Sequence, residues 1–158
     1  MTTQISPAAR SELTPTGKLR IGVNLGNFLL VTKDPASGTL SGVVVDLARE
    51  LGRRADAPVE FVTYPGAGNV ADAAKEGAWD VAFIGAEPAR ATEIAFTAAY
   101  LEIEATYLVP AGSAIRTIAD VDRAGVRIAV ADKSAYELFL KRSLKHARLV
   151  PAQGIDAS

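Results

Sequence analysis

Three short apolar runs, each followed by a turn and helical or glycine-rich chain, constrain this sequence more than any other feature. Leu19-Arg20-Ile21-Gly22-Val23 reads as a buried strand, Val59 to Tyr64 as a second and Asp80 to Ile84 as a third. Between the first two, residues 28–40 read as a small hairpin with Asp34-Pro35-Ala36-Ser37-Gly38 as its turn. Val43 to Ala55 follows, with Val44, Leu47, Ala48 and Leu51 at helical spacing and Asp46, Arg49, Glu50, Arg53 and Arg54 on the other faces. Between the second and third strands, Asn69 to Glu76 reads as a helix stopped at Gly77. Strands alternating with helices through short connections require a mainly parallel sheet, so the chain is α/β.

A second unit begins further on. Residues 88–94 suit a short helical turn, Tyr100 to Val109 a long apolar extended segment, and residues 110–125 a loop-rich link. Val126 to Ala131 then reads as a strand, Ser134 to Lys145 as a helix and Arg148 to Val150 as a last strand. The expected organisation is a disordered arm over residues 1–17, rich in Thr, Ser, Pro and Ala without periodicity, a first lobe over 18–105 and a partial second lobe over 106–158. With 158 residues the chain holds one lobe and part of another rather than two full domains.

Charge and composition exclude several functions. The 17 basic residues are balanced by 18 acidic ones and spread along the chain, so no nucleic-acid partner is expected. The absence of cysteine removes disulfides and thiolate chemistry. The lone histidine, His146, reads as a surface residue near a helix end, and neither a metal nor a cofactor is expected. Residues 1–18 lack the apolar core of a secretion signal, and no stretch is long enough to span a membrane. The sequence as it stands is expected in the cytoplasm; removal of a leader would instead mean the periplasm.

Ligands of open parallel sheets bind beyond the carboxyl ends of the strands. That rule selects Asn24 to Phe28, Tyr64 to Asn69, Gly85 to Arg90 and, in the second unit, Asp132 to Tyr136. Gly66-Ala67-Gly68-Asn69-Val70-Ala71 imitates a dinucleotide fingerprint, but it follows the second strand, and the third strand ends in Gly85 rather than an acid, so the loop is read as a close backbone approach. Arg90 lies just past a strand end, and its planar, permanently charged fork suits bidentate capture of a carboxylate. By position alone, a surface ion pair with Glu87 or Glu93 serves equally well. Ser134 with Glu137 three residues on forms a capping box; amides at that helix start could instead meet an anionic ligand.

The pattern over residues 18–150 resembles the type II periplasmic solute-binding proteins, the two-lobed receptors that deliver amino acids and related solutes to ABC transporters. The resemblance is carried by Lys18 to Val23, Leu40-Ser41-Gly42-Val43-Val44-Val45-Asp46-Leu47-Ala48, Gly77-Ala78-Trp79-Asp80-Val81-Ala82-Phe83, Pro88 to Tyr100 and Gly125 to Val130, in that order and spacing. It implies that Arg90 matches the arginine that pairs with a ligand's α-carboxylate. It likewise implies that Asn24 and Asn27 or Phe28 line the pocket after the first strand, that Ala67 or Gly68 lies on the second loop, and that backbone groups reach the ligand at Gly85. Ser134, Ala135 and Tyr136 match the second lobe's contribution.

There are also departures. Gly26-Asn27-Phe28-Leu29-Leu30 replaces the family's aromatic and proline cluster, which suits a less polar carboxylate. The family completes its second lobe and there presents an acid to the ligand's amino group; this sequence ends at Ser158, so a fragment is expected, or completion by a second copy through swapping or association. The function implied is binding of a small carboxylate or amino acid with hinge closure, read by an ABC transporter permease. The alternatives are a cyclohexadienyl-dehydratase-like lyase, for which Glu87 and Asp132 are the candidate acids, and a cytoplasmic sensor or inactive remnant.

Overall fold

A computed structural model describes residues 5–155 and 157–158 of the chain. The chain forms two compact units, Met1–Gly85 and Ala86–Ser158. The division falls at Gly85, whereas the sequence alone puts the lobe boundary after residue 105; the turn after the third strand packs with the second β-α-β segment of the chain.

In the first unit, β1 (Leu19–Asn24) lies between β4 (Val59–Tyr64) and β5 (Val81–Ala82), parallel to both. The register Leu19↔Val59 through Asn24↔Tyr64 aligns the carboxyl ends of β1 and β4. Leu19, Ile21 and Val23 alternate along the central strand and are fully buried, so the face they share is covered. The third strand is shorter than the expected 80–84, although Asp80 N–H donates to Arg20 O and Phe83 N–H to Gly22 O at either end of it.

The hairpin forms as expected, with β2 (Thr32–Lys33) antiparallel to β3 (Leu40–Ser41). Its turn is closed by the Asp34 carboxylate, which accepts from Ala36 N and from Ser37 N and Oγ. Helix α2 (Val43–Ala55) has the expected bounds but a rotated buried face. Val44, Val45, Ala48, Gly52 and Ala55 are buried, while Leu47, expected in the core, is 39% exposed. With β-branched valines filling its first turn, the stripe facing β1 runs through Val45 rather than Leu47.

Helix α3 (Ala67–Ala74) begins two residues before the expected start, and the chain turns out at Gly77, whose φ is +60°. The ring of Trp79 seals this corner. Its Nε1 donates to Val70 O at 2.9 Å, and its Cγ and Cδ1 lie 3.0 Å from the place a β-carbon on Gly22 would take, so a side chain there would press on the indole. Arg20 and Asp80 form a fork beneath, with Arg20 Nε and Nη2 donating to the carboxylate at 3.1 and 2.6 Å and Nη1 to Gly77 O.

The arm expected to be disordered contains a helix, α1 (Pro7–Leu13), which buries no residue. Ser6 caps it by accepting from Ala9 N, Pro7 opens it, and Arg10 pairs with Asp56 at the end of α2. Residues 1–4 of that arm lie outside the described residues.

The second unit is a β-α-β arrangement. Strands β6 (Arg127–Ala131) and β7 (Arg148–Ala152) pair in parallel and are joined through helix α4 (Ala135–Ser143). Val121, Ile128, Val130 and Leu140 form its buried core, with Tyr107, Ile115, Val126, Leu144, Ala147 and Leu149 packed against it. Tyr100 to Val109, expected to be extended, forms no strand and joins no sheet, and Leu108 is wholly exposed. Among the described residues, no helix is long and apolar enough to cross a membrane.

Candidate functional site

The candidate residues fall into two groups. Asn24, Asn27, Phe28, Gly68 and Gly85 belong to the first unit, and Arg90, Ser134, Ala135 and Tyr136 to the second.

In the first unit, the parallel register gathers loops at one edge of the sheet. Asn24 ends β1, and its Oδ1 accepts from Gly26 N at 3.0 Å. Gly26 approaches the next loop so closely that a β-carbon there would lie 2.8 Å from Pro65 O. The loops after β1 and β4 are thus adjacent because the strand ends are. Asn27 closes the following turn, with its carbonyl accepting from Leu30 and Val31 N–H, and Phe28 projects with 64% of its surface exposed. Gly68 lies inside the first turn of α3 and is buried, so it belongs to the helix rather than to a loop. Gly85 follows β5 at the same carboxyl edge.

In the second unit, Arg90 is not a surface residue: only 6% of it is exposed. Its Nη2 donates to Lys133 O at 3.0 Å, immediately before the first turn of α4. Burial pulls the guanidinium below the ordinary arginine range, and the charge of Glu87 opposes that shift. Glu87, also buried, forms an ion pair with Arg142 of α4. Of the partners the sequence alone offers Arg90, Glu87 or Glu93, the charge of Glu87 does act on Arg90, and Glu87 is also paired with Arg142.

The start of α4 is a hydrogen-bonded knot. Ser134 Oγ accepts from Glu137 N at 3.1 Å, the expected cap. The Glu137 side chain does not complete the box at Ser134; its Oε2 accepts from Lys133 N at 2.8 Å, one residue earlier. Lys133 has φ +52°, and this left-handed turn aims its N–H at Glu137 while its carbonyl takes Arg90. Glu137 is wholly buried; Oε1 takes no directed hydrogen bond but lies 2.8 Å from Lys141 Nζ. A carboxylate therefore already occupies the positive end of α4, and the cap serves the helix itself. Ala135 opens the helix and Tyr136 is 47% exposed beside it.

Asp132, one of the two candidate acids of a lyase, is not buried, and its N–H donates to Ala152 O at 2.8 Å. Among the described residues, no group of three or more His, Cys, Asp and Glu is placed to hold a metal. Sequence reasoning misses Lys133, Lys141 and Arg142. The i,i+4 spacing of Glu137 and Lys141 is a usable signal; the 55-residue separation of Glu87 and Arg142 is not.

The sheet order, the joining helices and the second β-α-β unit define the type II periplasmic-binding-protein fold. Residues 19–150 match the family of bacterial extracellular solute-binding proteins, family 3, and the chain belongs to that family. Among solved structures it is similar to an ancestral amino acid-binding protein described as a precursor of cyclohexadienyl dehydratase, with 25% identity and a TM-score of 0.76 over 94% of this chain and 66% of the other. A protein of Wolinella succinogenes DSM 1740, described as a putative ABC-transporter binding component and solved complexed with lysine, aligns over 90% of this chain and 62% of its own at 19% identity and a TM-score of 0.68. The cysteine-binding protein of Campylobacter jejuni aligns over 94% and 60% at 18% identity and a TM-score of 0.68. The chain thus spans between 60% and 66% of the length of these structures. No curated protein matches it.

Proposed function

We propose that the chain binds a small carboxylate solute, an amino acid or a related organic acid, as part of the substrate-binding component of an ABC transporter. The observation that carries this reading is Arg90, buried and aimed at the start of α4, where Ser134, Ala135 and Tyr136 lie. A guanidinium has five N–H donors in a fixed plane, so it can hold a backbone carbonyl and a carboxylate together. Burial strengthens such a bond by removing competing water. Within the first unit taken by itself, Asn24, Asn27, Phe28, Gly68 and Gly85 are the candidate residues, and exposed Phe28 offers an apolar surface. The lysine- and cysteine-binding relatives support the solute class, and the Wolinella protein supports the transporter role.

Titration calorimetry with lysine, arginine, cysteine and simple organic acids tests the reading. Wild type should bind at least one, and Arg90→Lys should lose roughly 1.5–3 kcal/mol of binding free energy, the range for hydrogen bonds to charged groups. Unchanged affinity in that variant would remove Arg90 from the site. Conversion of the bound compound to a product would point instead to a lyase, a reading the dehydratase precursor keeps in view.

A further inference from the structure

We propose that Glu87 and Arg142 are positioning residues for Arg90, fixing the turn that carries it lengthwise along α4. The proposal rests on the carboxylate-binding reading of Arg90 and says how that side chain is held.

Residues 87–94 make two successive helical turns. Glu87 O accepts from Arg90 N and Ala91 N at 2.9 and 3.0 Å, and Arg90 O accepts from Glu93 N and Ile94 N at 3.1 and 2.9 Å. In such a turn, positions three and four apart share a face. Glu87 and Arg90 are accordingly the two buried residues, while Pro88, Ala89, Ala91, Thr92 and Glu93 are exposed. The buried face of this turn is therefore charged, and burying charge is costly unless it is matched.

Two matching groups lie at the two ends of α4. Glu87 meets Arg142 in the last turn of the helix, and Arg90 meets Lys133 O just before the first. Arg142 is itself held from two further sides: Nη1 also donates to Leu138 O at 3.0 Å, and its guanidinium stands 5.3 Å from the Phe139 ring centre. Lys133 is held by the buried Glu137. The turn is thus attached at both ends of the helix to groups that cannot swing freely.

Glu87 acts on Arg90 in two ways. Its contact with Arg142 anchors the turn, and its negative charge offsets the cost of burying the guanidinium. Removing Glu87 releases both constraints, and Arg90 is then better solvated away from α4.

The test reads Arg90 directly. An arginine-specific dicarbonyl reagent with peptide mapping should modify Arg90 far more slowly than exposed Arg116 in wild type. In Glu87→Gln, Arg90 should react about tenfold faster, while hydrogen exchange in β6 and β7 stays unchanged; Arg142→Lys, which retains the charge but loses the fork, should fall between. An Arg90 rate unchanged in both variants overturns the positioning role, whatever the protein binds. The second arm measures affinity for lysine, arginine and cysteine. Glu87→Gln should weaken binding about tenfold in wild type and have no further effect in an Arg90→Lys background. Equal losses in the two backgrounds would show Glu87 acting independently of Arg90, against the proposal. A wild type that binds none of the three, nor any organic acid, defeats the carboxylate reading, and the labelling arm still decides what holds Arg90.

Discussion

The two units are held together by different physics. The first buries Leu19, Ile21, Val23, Val45, Ala48 and Val70 completely. Its hydrogen-bonded sheet is three strands wide, and its principal charged contact, Arg20 with Asp80, lies at one side. The second unit has a smaller apolar core, Val121, Ile128, Val130 and Leu140, under a two-stranded sheet. What it adds is charge: buried Glu137, Glu87 and Arg90, and Asp122, whose carboxylate accepts from Lys145, His146 and Ala147 N–H. Apolar packing is non-directional and tolerates small shifts, whereas a buried carboxylate satisfied by particular amides does not. The unit carrying Arg90 is therefore the one whose geometry depends on individual hydrogen bonds.

The largest effect that separates the two should come from the apolar unit. Ile21→Ala leaves a cavity in the central strand and should cost about 3–4 kcal/mol, read by urea denaturation with hydrogen exchange at β1. An equal loss of protection in β6 and β7 would show one cooperative block and end the contrast. Next, Glu137→Ala should cost about 2–3 kcal/mol, because Lys133 N–H loses its acceptor and a fully buried side chain is deleted, while Lys141, half exposed, turns to water. Exchange at the Lys133 amide reads it, and a cost below that of a surface substitution would mean that water replaces the carboxylate. Ser134→Ala should cost about 1 kcal/mol, the usual value of a helix cap, and should fray only the first turn of α4.

The smallest effect concerns acid. The three amides hold the Asp122 carboxyl at about 2, below its ordinary 3.8. The folded value is depressed, so the contribution to stability is complete above the unfolded pKa and is lost as pH falls from about 4 toward about 2. Amide chemical shifts of Lys145, His146 and Ala147 should titrate over that window, and Asp122→Asn should abolish that acid transition. A midpoint at the ordinary carboxylate value would show that the amides do not grip the folded state.

The same contrast explains what is legible in the sequence. Val44, Ala48 and the apolar run of β1 announce helix and strand because burial repeats with the period of each element. The Asp34 turn and the Ser134 cap are local chemistry, legible within a few residues. Leu47 falls outside the core because the helix rotates to suit tertiary packing, which spacing alone leaves undetermined by one position. Helix α1 lacks the apolar face that would announce it, although Ser6-Pro7 is a start signal. Arg90 is legible as a candidate, but its burial and its place in the second unit are not, since both depend on Arg142 and Lys133, far along the chain. A glutamate in the first turn of a helix ordinarily faces water, so nothing local marks Glu137 as buried.

The packing of Trp79 over Gly22 has a practical consequence. It is the single tryptophan of the chain, and its indole is fixed between the central strand and α3. Intrinsic fluorescence will report the fate of the apolar unit, while Arg90 and α4 carry no tryptophan of their own. An optical probe placed at exposed Phe139 would give the second unit a signal of its own.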